Sequence, residues 1–403
     1  MLASLLVFAA QISGGWVDIT PQPDLKGWIQ RGGKASYAVE KGVVIGESRP
    51  NTPNSFLCTE QVYSDFELEF EVKVDAEMNS GVQFRSNSYP GYRGGAVHGY
   101  QAEIDPSERS WSGGLYDESR RGWLQDLSAD EAARKAFNRN DWNHYRILAV
   151  RESIQIWVNG VRCVDFKDGL SRSGFIGLQV HNVGDRKDPL RVMWRNIRIR
   201  ELGRFGELPP GGILLLGSGS GEENWHKLGE PTTPIGWEWI EGALQVKPGT
   251  GNIISKRTHG AIRAHVEFRV DDNGKTGQAN GNSGVFFQNR YEVQILNSAG
   301  QEPSLDNCGA IYSVKAPDFN CAYAAGVWQS YDVEFYPARW EGTRKTRDAW
   351  MTVYHNGTRI HHMVEVPRNT TTGGSESPEP MGIRLQDHGN LIQFRNIWIR
   401  PMD

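Results

Sequence analysis

Glutamate, histidine, arginine and tyrosine move protons or hold developing charge, and here several of them fall where strand parity aims them at one surface. In VQFR, Val82 and Phe84 must enter the core, so Gln83 and Arg85 face outward. In YQAEID, placing Tyr100, Ala102 and Ile104 inside leaves Gln101, Glu103 and Asp105 outside. In LQVH, Leu178 and Val180 point in while Gln179 and His181 point out, and Tyr116 follows the inward Leu115. If these strands share one curved sheet, its concave face presents Arg85, Gln101, Glu103, Tyr116, Gln179 and His181. Amides, a carboxylate, a phenol and an imidazole suit sugar hydroxyls. Exposed indoles suit the apolar faces of pyranose rings, and Trp111 and Trp123 are the expected platforms.

The same constellation returns later in the chain. NSGVQFRS at 79–86 reappears as NSGVFFQN at 282–289, YQAEI at 100–104 as YEVQI at 291–295, and LQVH at 178–181 as LQDH at 385–388. GGLY answers CGAIY, WNHYRI answers WQSYDV, WVNGVR answers YHNGTR and RNIRIR answers RNIWIR, all in the same order. This is a tandem duplication offset by about 200 residues, a length that suits one domain per copy. The second copy presents Gln288, Glu292, Gln294, Tyr312, Gln386 and His388 at the matching positions. Gln288 replaces Arg85 and Gln294 replaces Glu103, and an amide cannot act as a base. Charge therefore favours catalysis in the first copy, whose insertion Glu118–Asp141 carries Arg120, Arg121 and Trp123 as expected walls of the cleft. The second copy is read as an accessory binding domain or a second active site with its carboxylate, Glu292, moved by one pleat.

The elements that must position these groups read as β throughout. Phe66–Val74 alternates Phe66, Leu68, Phe70, Val72 and Val74 with charged residues, and Ile262–Val270 repeats the pattern. Asn159-Gly160 and Asn356-Gly357 mark hairpin turns. One wet face per strand implies antiparallel sheets packed as a sandwich, hence an all-β chain of two tandem domains. The expected boundaries are 14–203 and 212–403, with 204–211 as a Pro- and Gly-bearing linker. One helix is expected at Ser128–Phe137, with Ser128 and Glu131 as its capping box.

Composition excludes some partners. The 403 residues carry a net charge of -4 with no basic run, so neither nucleic acid nor an anionic membrane finds a footprint. Met1–Ala10 (MLASLLVFAA) is too short to span a bilayer and reads as the apolar part of a signal peptide within residues 1–13, implying a periplasmic or secreted protein. No later segment is expected to cross a membrane. Cys58, Cys163, Cys308 and Cys321 permit disulfides in an exported chain, and buried thiols are the alternative.

One local motif points to a different chemistry. Glu103-Ile-Asp105-Pro-Ser-Glu108 resembles the E-x-D-x-x-E signature of laminarinase-type family 16 glycoside hydrolases. That resemblance implies a retaining endo-glucanase with Glu103 as nucleophile and Glu108 as acid. Pro106 and the unmatched second copy count against it.

The ordered motifs of both copies together resemble the 3-keto-disaccharide hydrolase domain, a concanavalin A-like jelly roll formerly catalogued as a domain of unknown function. The segments are NSGVQFRS, GYQAEID, SGGLYDESRRGWL, WNHYRI, WVNG and GLQVH, then NSGVFFQNRYEVQIL, CGAIYSVKAPDFN, WQSYDVEF, HNG and LQDHGNLIQFRNIWIRP. The resemblance implies export in carbohydrate-degrading bacteria and action on disaccharides or other glycosides oxidised at C3. It also implies a partner oxidoreductase that makes the 3-keto sugar, since this chain has no dinucleotide fingerprint. A C3 ketone acidifies the C2 proton; removing it, expelling the C1 substituent and adding water amounts to hydrolysis. The expected roles are Glu103 or His181 as base, Arg85 and Tyr116 as electrostatic donors, and Gln83, Gln101 and Gln179 as hydroxyl readers. No cofactor is certain; Glu103, Asp105 and His181 could instead hold a divalent cation that polarises the ketone. The non-enzymatic alternative is a double carbohydrate-binding, lectin-like module on the same fold.

Overall fold

A computed structural model describes residues 14–402, so the signal peptide expected within residues 1–13 lies outside the described residues. The strands of the first repeat are Val17–Asp18 (β1), Trp28–Gly32 (β2), Ser36–Glu40 (β3), Val43–Glu47 (β4), Ser55–Thr59 (β5), Asp65–Val74 (β6), Ser80–Asn87 (β7), His98–Ile104 (β8), Leu115–Glu118 (β9), Gly122–Gln125 (β10), Asn143–Val150 (β11), Ser153–Val158 (β12), Val161–Lys167 (β13), Phe175–Val180 (β14) and Arg191–Gly203 (β15). They form two antiparallel sheets. One runs β13-β12-β11-β6-β15-β4-β3 with β1 added to β15, and the other runs β10-β9-β8-β7-β14-β5-β2.

Alternation explains how the sheets meet. Phe66, Leu68, Phe70, Val72 and Val74 of β6 are buried, as are Val82 and Phe84 of β7, Tyr100, Ala102 and Ile104 of β8, and Leu178 of β14. These residues belong to one core cluster between the two sheets. Fully burying an aromatic or large aliphatic side chain contributes about 1.5–3 kcal/mol, so the alternating runs supply the driving force for the sandwich. The intervening charges of β6 pair across the opposite face: Glu67 with Arg146 and Arg200, Glu69 with Arg198, and Glu71 with Arg195.

The second repeat builds the same architecture from Ile213–Leu216 (β16), Trp225–Lys227 (β17), Glu238–Ile240 (β18), Ala243–Gln245 (β19), Ile253–Ser255 (β20), Ile262–Val270 (β21), Ser283–Phe287 (β22), Tyr291–Ile295 (β23), Gln329–Tyr336 (β24), Arg339–Glu341 (β25), Arg344–Arg347 (β26), Ala349–His355 (β27), Thr358–Val366 (β28), Arg384–Leu385 (β29) and Ile392–Pro401 (β30). Its large sheet runs β18-β19-β30-β21-β24-β27-β28 with β16 on β30, and its small sheet runs β17-β20-β29-β22-β23. The chain is thus all-β in two jelly-roll sandwiches, as the alternation predicts. By packing, one compact unit comprises residues 14–88 together with Val97–Phe205, and the other comprises Tyr89–Ala96 together with residues 206–402. Tyr89 is fully buried in the second unit's core, with its hydroxyl on Asn356 O and Thr358 Oγ1.

Both hairpin turns form as read. Asn159 and Gly160 have φ of 48° and 83°, and Asn356 and Gly357 have 50° and 79°, the paired positive values of a type I′ turn. The helix is shorter than its pattern predicts: it spans Glu131–Arg134 (α1), and the cap is Asp130, whose side chain accepts from Ala133 N. Ser128 instead donates to Asp126, so the expected capping box does not form. All four cysteines are buried free thiols, which selects the buried-thiol alternative.

Candidate functional site

In the first unit the face of β8 opposite the core carries Gln101 and Glu103. Gln101 stands directly between Tyr116 on β9 and Gln83 on β7, and Glu103 lies opposite Gly81. Gly81 makes this row possible, because a Cβ there would lie 2.3 Å from Gln101 Cδ. Gln101 can therefore lean across the neighbouring strand toward Glu103.

The amides form a directed relay. Ser86 Oγ donates to Gln83 Oε1 at 2.7 Å, Gln83 Nε2 to Gln101 Oε1 at 2.5 Å, and Gln101 Nε2 to Glu103 Oε2 at 2.9 Å. Asn79 Nδ2 donates to the other oxygen, Oε1, at 2.8 Å. Each donor in the chain is polarised by the next, which strengthens the bonds that end on the carboxylate. Glu103 is only 4% exposed, and burial raises its pKa to about 7 against the opposing pull of the Asn79 and Gln101 hydrogen bonds. A carboxyl poised there exchanges a proton readily near neutrality.

Tyr116 is half-buried, and its phenol is raised by burial, then by Glu118 and Glu103. Its ring meets Trp123 at 5.1 Å, Trp123 meets Trp111 at 4.9 Å, and the Arg109 guanidinium lies 4.6 Å over Trp111. Trp111 is partly buried against the core, so Trp123 and Tyr116 supply the platform with Trp111 behind. Gln179, on β14, is fully buried; its Nε2 approaches Glu118 Oε2 at 3.5 Å, and its Oε1 has no partner. His181 follows β14 and is half-buried. Its Nδ1 donates to Asn182 O at 2.8 Å, which orients the ring.

Glu118 on β9 is a member of this face that the motif comparison overlooks. Its oxygens accept from Asn54 Nδ2 at 3.4 Å and Gln179 Nε2 at 3.5 Å, and burial raises its carboxyl above the usual range. Strands lie about 4.8 Å apart in a sheet, so a contact from β9 to β14, three strands away, requires the sheet to curl over this face. The face is concave. Parity alone carried the signal for Glu118, since Tyr116 and Glu118 alternate with the buried Leu115 and Asp117.

Several expected members lie elsewhere. Arg85 does not face the groove. The β7–β8 register shifts between Phe84 and Asn87, Arg85 takes φ of 46°, and its wholly buried side chain bonds Ser64 O, Arg151 O and Asp65. The bulge reverses its parity and makes it a pillar against the start of β6. Gln288, the matched residue, has φ of 49° and bonds His259 O and Arg290 instead. Arg120 and Arg121 bind the inward-facing Asp117, and Arg121 also binds Asp168, so they anchor the insertion rather than line the cleft. Asp105 lies past the end of β8, tied to Arg109 and to Ser107 N. Among the described residues no three His, Cys, Asp or Glu side chains are grouped to hold a metal ion, so Glu103, Asp105 and His181 do not form the expected cation site. Glu108 is exposed in the following turn, which breaks the strand geometry that an E-x-D-x-x-E pair needs.

In the second unit, Glu292, Gln294, Phe286 and Gly284 share the outer face of β22 and β23, and Phe286 stands between Glu292 and Arg384 of β29. A Cβ on Gly284 would lie 2.3 Å from Glu292 Oε1, so this glycine makes room as Gly81 does. Glu292 is buried, accepts from Thr372 Oγ1 at 2.9 Å, and has its carboxyl raised to about 7 by burial. The Gln294 amide is best satisfied with its nitrogen 3.1 Å from Glu292 Oε1. The Arg384 guanidinium lies 3.3 Å over the Phe286 ring and donates to Thr372 O and Asn289 Oδ1. Neither Arg384 nor Thr372 was visible as a site residue in the repeat alignment, because Arg384 replaces Gly177 and Thr372 comes from the loop 367–383. Tyr312 N bonds Glu292 O, and Gln386 Oε1 is buried without a partner, as is Gln179 Oε1. His388 is exposed in the turn after β29.

Comparison with known proteins gives a family. A model described as the 3-keto-alpha-glucoside-1,2-lyase-like domain matches residues 15–200 and again 215–400. Among solved structures, a candidate glycosyl hydrolase from Parabacteroides distasonis is 27% identical, with 48% of this chain and 85% of that one covered at a TM-score of 0.44. A carbohydrate-binding module from Bacillus subtilis is 16% identical over 43% of this chain and 96% of its own, with a TM-score of 0.34. A β-1,3-1,4-glucanase from a mouse hindgut metagenome is 13% identical over 47% and 99%, also with a TM-score of 0.34. No curated protein matches the sequence.

Proposed function

Matched over both of its repeats, the chain belongs to the 3-keto-alpha-glucoside-1,2-lyase-like domain family, and from that membership we propose that it cleaves 3-keto-glycosides, with catalysis in the first unit. The observation that carries this reading is the buried carboxyl of Glu103, with a pKa of about 7, at the end of an amide relay on a concave face beside Tyr116 and Trp123. Glu103 removes the C2 proton of a sugar whose C3 ketone stabilises the resulting enolate. Gln83 and Gln101 hold the base in place, and the Tyr116 hydroxyl donates toward developing negative charge. Trp123 packs on the apolar face of the ring. Loss of the C1 substituent and addition of water complete a net hydrolysis. His181, half-buried after β14, is the second candidate base at the rim.

The second unit is better read as a carbohydrate-binding partner of the first. Its groove carboxyl, Glu292, sits in the field of the Arg384 guanidinium, and Val314 stands where the first unit has Glu118. The reading includes an upstream oxidoreductase that installs the C3 ketone, and export directed by residues 1–13; N-terminal sequencing of the mature protein checks the latter. The principal test is a chromogenic 3-keto-glucoside beside the unoxidised glucoside and laminarin, each with and without a chelator. Release from the keto compound alone supports the reading. Saturable binding without product would leave a double lectin-like module.

A further inference from the structure

Elimination from C1 leaves an alkoxide, and a glycosidic oxygen leaves well only if it is protonated as the bond breaks. Resting on the 3-keto-glycoside reading above, we propose that Glu118 is the general acid for the leaving group in the first unit. Four observations place it there. Glu118 projects from the same face as Tyr116, two residues away on β9. Tyr116 in turn stands directly opposite Gln101, the residue that donates to Glu103, so Glu118 and Glu103 both border the Tyr116–Gln101 row of one face. Among the described residues no cation pairs with Glu118. Its oxygens meet only neutral donors, Asn54 and Gln179 at 3.4 and 3.5 Å and Ser119 at 3.5 Å. Finally, it is half-buried where Glu103 is buried, so it is the more open of the two carboxyls to a molecule in the groove.

Neutral donors at long distance do not hold a carboxylate in its ionised form as an arginine would, and the raised pKa of Glu118 agrees with that environment. The second unit provides an internal contrast, since Val314 occupies the matching position. Two carboxyls on one face then divide the work. The Glu103 carboxylate takes the C2 proton, and the C–H electron pair becomes the enolate. The enolate collapses to a C1=C2 double bond, the C1–O bond breaks, and the leaving oxygen takes the proton of Glu118. For hydration, the Glu118 carboxylate takes a proton from water, the oxygen adds to C1, and Glu103 returns its proton to C2. Both residues end in their starting states, with no further reactant needed.

A leaving-group series on the full chain tests this assignment. 3-Keto-glucosides of nitrophenol, phenol and methanol are compared for the wild type, Glu118→Gln and Glu118→Asp. The expected result for Glu118→Gln is a loss of at least about 10²-fold in kcat/KM on the methyl glycoside, a loss within a few-fold on the nitrophenyl glycoside, and disappearance of the alkaline limb of the pH profile. Glu118→Asp should recover part of the methyl activity. A uniform loss across the series, or an alkaline limb that persists in Glu118→Gln, would assign Glu118 a purely structural role. Unchanged activity would remove it from the site. If the wild type turns over none of the keto-glycosides, the family-based reading fails first, and this assignment with it.

Discussion

The two units carry the same sandwich and nearly the same motifs, yet three of four matched positions on their outer faces differ in charge. The first sets Gln83, Gln101, Glu103 and Gly177 where the second sets Phe286, Glu292, Gln294 and Arg384. In both, a glycine at the matched position makes room for a long polar side chain to lean across the strand. What differs is what the carboxyl meets. Glu103 ends a relay of amides rooted in the sheet itself, whereas Glu292 meets a hydroxyl brought in by a loop. The connection from β13 to β14 spans 168–174, while that from β28 to β29 spans 367–383. The longer loop supplies the Thr372 contacts to Glu292 and Arg384. Duplication preserved the scaffold, and a change in loop length altered what its carboxyl can reach.

Substitution of the two carboxyls should show the largest effect. Glu103→Gln is expected to lower kcat/KM on a 3-keto-glucoside by about 10²–10⁴-fold, and Glu292→Gln by less than about two-fold. Comparable losses from both would mean two active sites and would break the asymmetry drawn here. Gly81→Ala comes next, because its Cβ would displace Gln101. We expect roughly a ten-fold loss of kcat/KM by the proximity cost of a misplaced site, with an unchanged circular dichroism spectrum; Gly284→Ala should leave turnover intact.

The pH dependence of stability separates the carboxyls by substitution. Burial raises both Glu103 and Glu292 to about 7 from 4.5. Between those values the unfolded chain loses its proton while the folded one keeps it. Each residue therefore makes stability fall as pH rises from about 4.5 to 7, and the loss levels off above 7. The loss is of order 3 kcal/mol per residue. Chemical denaturation across that range should show each single Gln variant with a shallower fall than the wild type. A fall unchanged in either variant would mean that its carboxyl is ionised in the folded state. The smallest effect is expected from Thr372→Val, which removes one hydrogen bond to Glu292 and should raise that carboxyl further without adding turnover. Carbon-detected NMR titration of the Glu292 carboxyl reads the shift.

Much of this was legible in the residues. Alternation in Phe66–Val74 and Ile262–Val270 predicted the sandwich, and parity put Gln101, Glu103, Tyr116 and Gln179 on one face, because burial of the intervening apolar residues leaves them no other side. Parity failed at Arg85 and Gln288, where a bulge with positive φ reverses the side chain, and a bulge leaves no mark in an otherwise regular alternating run. Parity does put Glu118 on this face beside Tyr116, but the motifs shared by the two copies leave it out, because Val314 replaces it in the second.

The sequence by itself determined which residues are inside and which outside, because a two-residue period and the cost of exposing apolar surface act locally along each strand. It determined the duplication as well. Only the tertiary structure decided which outward residues meet. Sheet curvature brings Glu118 on β9 to Gln179 on β14, a glycine lets Gln101 reach Glu103, and a loop distant in sequence lays Thr372 on Glu292. Those contacts depend on twist, on register and on the path of loops between strands. No local pattern encodes these, because they arise from how whole sheets pack.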